Sequence, residues 1–171
     1  MPESDAPFRI VEEQEVALLE VAGWTPLGLA AIFDQAGRPL PAEPGGAVRH
    51  GEALIVRLTP SIAWIIDGAA DIPTDGQGCA CDLSHSRVRL TLIGAQATAL
   101  LTRVVALDLD PTAWPIGKAS ATGIHGVPVV IHRAGMERFE IITPRSFADS
   151  IREWIEDAAA EFKHPVIRSP C

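Results

Sequence analysis

Val16-Ala17-Leu18-Leu19-Glu20-Val21-Ala22-Gly23 and Arg87-Val88-Arg89-Leu90-Thr91-Leu92-Ile93-Gly94 are two versions of one element, an apolar strand closed by glycine, set about 70 residues apart. An offset of that size marks a duplicated unit larger than a hairpin. Each copy leads into a short helix. In the first, Thr25-Pro26 supplies a cap and a proline at the first helical position, followed by Leu29, Ile32 and Phe33 at helical spacing. In the second, Ala97, Leu100, Leu101, Val104 and Val105 form an apolar stripe.

After each helix comes a proline exit (Leu40-Pro41, Asp110-Pro111), a glycine-marked loop and a pair of strands. The first pair is Ala53–Leu58 with Ala63–Ile66; the second is Val127–Ile131 with Phe139–Thr143, joined by Arg133-Ala134-Gly135-Met136. Pro128 removes a ladder donor and predicts that its strand lies at an edge or begins there. Only the second half closes with a long helix, Phe147 to Phe162, with Phe147, Ile151, Trp154, Ile155, Ala158 and Phe162 on one face. Ser146 and Asp149 predict a capping box at its start.

The expected fold is therefore α+β: two αβ half-units of the strand-helix-strand-strand kind, with mainly antiparallel sheet and helices on one face. The half-units span 9–67 and 82–162, the second including the terminal helix, with a Gly/Asp/Pro/Thr-rich linker at 68–81 and a tail at 163–171.

Composition narrows the function. Hydrophobic residues make up 47% of the 171 and charged residues 21%, a globular balance that supports a buried core. The net charge is -8 and no run of cations occurs, which argues against a nucleic-acid partner. The acidic run Glu12-Glu13-Gln14-Glu15 reads as a solvated entry to the first strand. The N-terminus has neither the basic nor the apolar region of a secretory signal, and no apolar stretch reaches the roughly 20 residues that span a bilayer. A cytoplasmic protein without a membrane partner is expected, and the odd set Cys79, Cys81 and Cys171 agrees with a reducing compartment.

The sequence holds neither GxGxxG nor GxxxxGK[ST], so the phosphate cradles of dinucleotides and nucleoside triphosphates are missing. There is no GxSxG elbow, and Ser84-His85-Ser86 places its side chains on consecutive, diverging positions. Cys79-Ala80-Cys81 with His85 and Asp82 offers four potential metal ligands, but the spacing is not that of a zinc knuckle, and linker thiols are the preferred reading. His125 and His132 flank an apolar strand and are given separate structural roles. Trp24, Trp64, Trp114 and Trp154 fall one per major element and read as core or interface anchors.

Two segments stand out. Pro144-Arg145-Ser146-Phe147 sets a guanidinium beside a helix N-terminus, a place for a carboxylate of a ligand or partner, or simply a cap with a solvent-facing arginine. Asp82-Leu83-Ser84-His85-Ser86-Arg87 is a polar run entering the second repeated strand, also readable as a turn in which Asp82 and Ser84 bind nearby backbone donors.

These segments, with Asp108-Leu109-Asp110, Trp114-Pro115-Ile116-Gly117, Val127 to His132, and Phe139 to Ala148 then Trp154, resemble in order the gamma subunit family of sarcosine oxidase. The resemblance runs from about Arg9 to Phe162. It implies a fold related to the folate-binding domain of glycine-cleavage aminomethyltransferase, and a non-catalytic accessory subunit with no cofactor of its own. Its implied partners are alpha, beta and delta type subunits, which would carry FAD, FMN, NAD, zinc and tetrahydrofolate. The complex would oxidatively demethylate sarcosine or a related N-methyl amino acid. Under that reading Asp82, His85, Arg87, Trp114 and Arg145 are interface candidates, with no catalytic or metal-binding residue. The alternative is a stand-alone folate-binding or one-carbon-handling protein, for which Asp82 and Arg145 are the candidate ligands of pterin and glutamate tail.

Overall fold

The computed structural model describes residues 8–68, 71–160 and 167–170. The first unit starts with β1 (Arg9–Glu13), β2 (Leu18–Gly23) and α1 (Pro26–Gln35), and continues through β3 (Ala47–His50), β4 (Ala53–Thr59) and β5 (Ile62–Ile66). The second starts with β6 (Gly78–Asp82), a 3-10 turn at Ser84–Ser86, β7 (Arg87–Ile93) and α2 (Ala97–Val104). It continues through β8 (Ala119–Ile124), β9 (Val127–Gly135), β10 (Arg138–Pro144), a 3-10 turn at Arg145–Phe147 and α3 (Ala148–Ala160), and β11 (Ile167–Pro170) follows. This is an α+β fold with two mainly antiparallel sheets.

The repeat is visible in the pairing. One sheet runs β3-β4-β5-β2-β6 and the other β8-β9-β10-β7-β1-β11, so the order within each half is the same. The leading strands are exchanged. Strand β1, which precedes β2 in the chain, pairs antiparallel with β7, while β6, which precedes β7, pairs antiparallel with β2. Gly78–Asp82, within and just past the stretch expected to be linker, thus closes the first sheet. Gly78 permits this approach, because a Cβ there would sit 2.0 Å from the Ala22 carbonyl oxygen. Strand β11, in the expected tail, pairs parallel with β1.

The central strands of both sheets bury both faces, as their near-continuous apolar runs require, while the edge strand β6 stays exposed. On β4 and β5, Ala53, Ile55, Ala63 and Ile65 face α1 and pack with Leu29, Ile32 and Phe33. The alternate residues Leu54, Val56, Trp64 and Ile66 meet Val130 and Ile142 of the second sheet. The outer face of that sheet, with Leu90, Leu92, Phe139 and Ile141, is covered by α2 and α3. The layers are therefore helix, sheet, sheet, helices.

Several local expectations change. A further strand in each unit, β3 and β8, occupies the segments expected to be loops. Strand β9 lies inside its sheet between β10 and β8, with Pro128 its second residue. The missing donor is tolerated because pairing with β10 stops at Ile142–Val130. His125 and Gly126 form the two-residue β8–β9 turn, both at positive φ (47° and 85°), the geometry that matches strand twist. The capping box does not form: Ser146 lies inside the 3-10 turn and its hydroxyl bonds to none of the described residues, and Asp149 pairs with Arg152 instead. The turn continues into α3 through the Ala148 amide, which donates to the Arg145 carbonyl, and so needs no side-chain cap. The buried stripe of α3 is Ala148, Ile151, Ile155 and Ala159, while Phe147 is exposed. Phe162 and Cys171 lie outside the described residues. No helix among them is long and apolar enough to cross a membrane.

Candidate functional site

The polar run Asp82–Arg87 and the segment Pro144–Phe147 meet at one end of the molecule, through the two 3-10 turns. Asp82 Oδ1 accepts from the Ser84 amide at 2.8 Å, which bends the chain out of β6. Hydrogen bonds from the Ser84 side chain and then its backbone hold the Asp82 carboxyl below its usual range, with a smaller contribution from the nearby His85. Ser84 Oγ accepts from the Leu18 amide at 2.9 Å, and Ser86 Oγ donates to the Leu83 carbonyl at 2.8 Å. The turn is thus bolted to the start of β2.

Arg145 completes the junction. Its Nε donates to the His85 carbonyl at 3.0 Å, Nη1 to Gln14 Oε1 at 2.8 Å and Nη2 to the Gln14 carbonyl at 2.5 Å. The guanidinium joins the chain before β2, the turn before β7 and the end of β10, with its donors directed at neutral oxygens. Asp82 likewise serves its own turn. An open cleft of about 400 Å³ lies beside Arg145, lined by Glu15, Val16, Ala17, Ser84 and His85.

The remaining candidates separate. Arg87 is half-buried, its guanidinium carbon 6.0 Å from the Trp64 ring centroid. Trp114 is a core residue, only 5% exposed, and its carbonyl accepts from Arg133 at 2.9 Å. His125 stacks at a tilt on Trp154 with ring centroids 4.7 Å apart, and His132 is buried elsewhere. Cys79 and Cys81 are exposed on β6, and among the described residues no three His, Cys, Asp or Glu gather as a metal site. Trp24 and its neighbour Leu27 are 68% and 83% exposed, a solvent-facing apolar pair at the start of α1.

Three polar features escape sequence reading. Arg133, 1% exposed, donates to the carbonyls of Leu109, Trp114, Gly135 and Met136 and so holds the loop before β8 against β9. His132 Nδ1 and Glu140 Oε2 form a buried pair at 3.1 Å between adjacent strands. Burial alone would raise the Glu140 carboxyl, but the hydrogen bond and charge from His132, with Arg89 and Arg138, bring it below its ordinary value. Arg89 bridges Glu13 and Asp67 and so ties β7 to β1 and to the end of β5. Desolvation opposes its charge, yet bonds to Asp67 and Glu13 hold the guanidinium above its ordinary pKa. The signal in sequence is weak: a charge inside an apolar strand marks a buried polar group without naming its partner.

This architecture is shared with glycine-cleavage enzymes. A chain of aminomethyltransferase T from Bartonella henselae superposes with a TM-score of 0.61 at 18% identity, covering 96% of this chain and 48% of that one. A chain of the heterotetrameric sarcosine oxidase from Corynebacterium sp. U-96, solved with pyrrole 2-carboxylate, superposes at 0.81 with 24% identity, covering 96% and 90%. These likenesses define the fold, a folate-binding-domain-like pair of αβ halves.

Sequence carries the assignment further. The sarcosine oxidase gamma subunit family model matches residues 77–161. Sarcosine oxidase subunit gamma from Corynebacterium sp. (strain P-1) is 30% identical over 144 residues, 79% of this chain and 71% of that protein. The chain belongs to the sarcosine oxidase gamma subunit family.

Proposed function

We propose that this chain is a non-catalytic gamma-type subunit of a heterotetrameric sarcosine oxidase-like complex in the cytoplasm, assembling with alpha, beta and delta type subunits. Those partners carry the FAD, FMN, NAD, zinc and tetrahydrofolate, and the complex oxidatively demethylates sarcosine or a related N-methyl amino acid. The observation that carries the reading is the 30% identity to a named gamma subunit across most of both chains, with a matching fold. The halves 9–67 and 82–162 act as one scaffold, joined through the exchanged strands. Asp82 and His85, exposed on the turn between β6 and β7, with Arg87 beside them, form one docking patch, and Trp24 and Leu27, at the other end of β6, form a second.

A stand-alone folate-binding protein would use Asp82 and Arg145 as ligands. The geometry favours the subunit, because Asp82 binds its own turn and Arg145 is engaged by Gln14 and His85. The test is co-expression with alpha, beta and delta type subunits, followed by gel filtration and sarcosine-dependent peroxide formation. The chain co-elutes with them, and its omission lowers the yield of active complex. Full assembly and turnover without it, or a yellow preparation of this chain alone with stoichiometric flavin, would overturn the proposal.

A further inference from the structure

Strand alternation builds a second cleft, at the open end of the gap between the two sheets. From the first sheet, Leu58 and Trp64 point inward, on the same face as Leu54 and Val56. From the second come Val130 and Ile142, with Arg87 and Pro144 at the rim and Ala121 of β8 leaving room for a ligand. The space is about 150 Å³, the size of an apolar cavity that takes up a benzene ring. Its walls are mostly carbon. Trp64 is held in place by its Nε1, which donates to Glu20 at 2.8 Å.

Among the described residues, Arg87 is the single charged group on this lining. Its Nη1 donates to the Ser86 carbonyl and hydroxyl at 3.3 and 3.1 Å, and its Nε and Nη2 have no partner among the described residues. Among the described residues no carboxylate pairs with it, in contrast to Arg89 two residues on, which is paired with Glu13 and Asp67. A guanidinium with free donors at the mouth of an apolar slot selects a carboxylate on a flat, apolar body.

We propose that this cleft binds a small organic acid with a flat apolar ring, the ring between the sheets against Trp64 and the carboxylate on Arg87. Because Arg87 also belongs to the proposed docking face, the cleft is tested on this chain alone, free of partner subunits. The full chain is titrated with benzoate and nicotinate, and with their neutral amides, by calorimetry and tryptophan fluorescence. At least one acid binds saturably, about tenfold or more tighter than its amide, a ratio equivalent to one charge-assisted contact. Arg87→Gln erases the preference for acid over amide. Ala121→Leu, at an exposed position whose larger side chain fills the slot, weakens both while leaving the unfolding temperature unchanged. Absence of saturable binding by both acids, equal affinity for acid and amide, or binding indifferent to both substitutions would refute the site.

Discussion

Arg133→Met tests whether a buried cation without a carboxylate partner organises the second half. The side chain is 1% exposed and donates to Leu109 and Trp114 at 3.1 and 2.9 Å in the interior, and to Met136 and Gly135 at 2.7 and 3.3 Å nearer solvent. Methionine keeps most of the apolar volume against Phe139 and removes the donors. Water can reach the carbonyls of Gly135 and Met136, whereas those of Leu109 and Trp114 are left buried and unpaired, at about 1–3 kcal/mol each. Breaking a buried charged interaction on one side costs roughly 3–5 kcal/mol, which agrees with that sum. At about 2–4 °C per kcal/mol for a chain of this size, the melting temperature falls by roughly 6–20 °C. Arg133→Lys keeps the charge but not the fork and should recover only part of the loss. Urea unfolding followed by far-UV circular dichroism reads the difference. If Arg133→Met lies within about 1 kcal/mol of the parent, the carbonyls have found other donors and the argument fails.

Four further outcomes follow from the geometry. Glu140 titrates below its ordinary value of 4.5, so its contribution is present above the unfolded carboxyl pKa and lost as pH falls through the folded one. Urea midpoints should therefore drop below about pH 4.5, and Glu140→Gln should flatten that limb; an unchanged profile would remove the pair from acid sensitivity. Ser146→Ala should change stability by no more than a few tenths of a kcal/mol, as no cap bond is lost, while Thr25→Ala, which removes the 3.0 Å bond to the Gly28 amide, should cost about 0.5–2 kcal/mol. A larger loss at Ser146 than at Thr25 in chemical denaturation would reverse that assignment. Arg145→Ala should lower the unfolding temperature before any binding partner is added, since the guanidinium joins three segments of its own chain; a variant that melts like the parent would show those bonds to be expendable. Leu27→Asp, at a position 83% exposed, should leave the melt unchanged and reduce co-elution with the large subunits; undiminished co-elution would take α1 off the docking face.

The local elements were legible because each is governed by short-range chemistry. Thr25-Pro26 marks the start of α1, and Ile151 and Ile155 mark the buried face of α3. The apolar runs on β2 and β7 disclose the repeat. Residues Ala47–His50 and Ala119–Ile124 lack such runs, having apart from Val48 and Ile124 only small, polar or charged side chains, and their identity as strands comes from pairing with β4 and β9. Ser146 misled for a related reason: a capping pattern reports what a side chain can do, while the 3-10 turn at Arg145–Phe147 had already carried the backbone into the helix.

By itself, the sequence determined the α+β class, the duplication, the order of most elements and the family. Tertiary structure alone decided which sheet each strand joins: β1 and β6 carry no signal for exchange, because a strand's two-residue period tells which face is buried and nothing about its neighbour. It also decided what the charges do. Arg87, Arg89, Arg133 and Arg145 are alike in the sequence, yet one opens onto a cleft, one is paired to carboxylates and two are bound to backbone carbonyls. A guanidinium takes its role from the oxygens within about 3 Å, and here those oxygens come from segments up to 131 residues away.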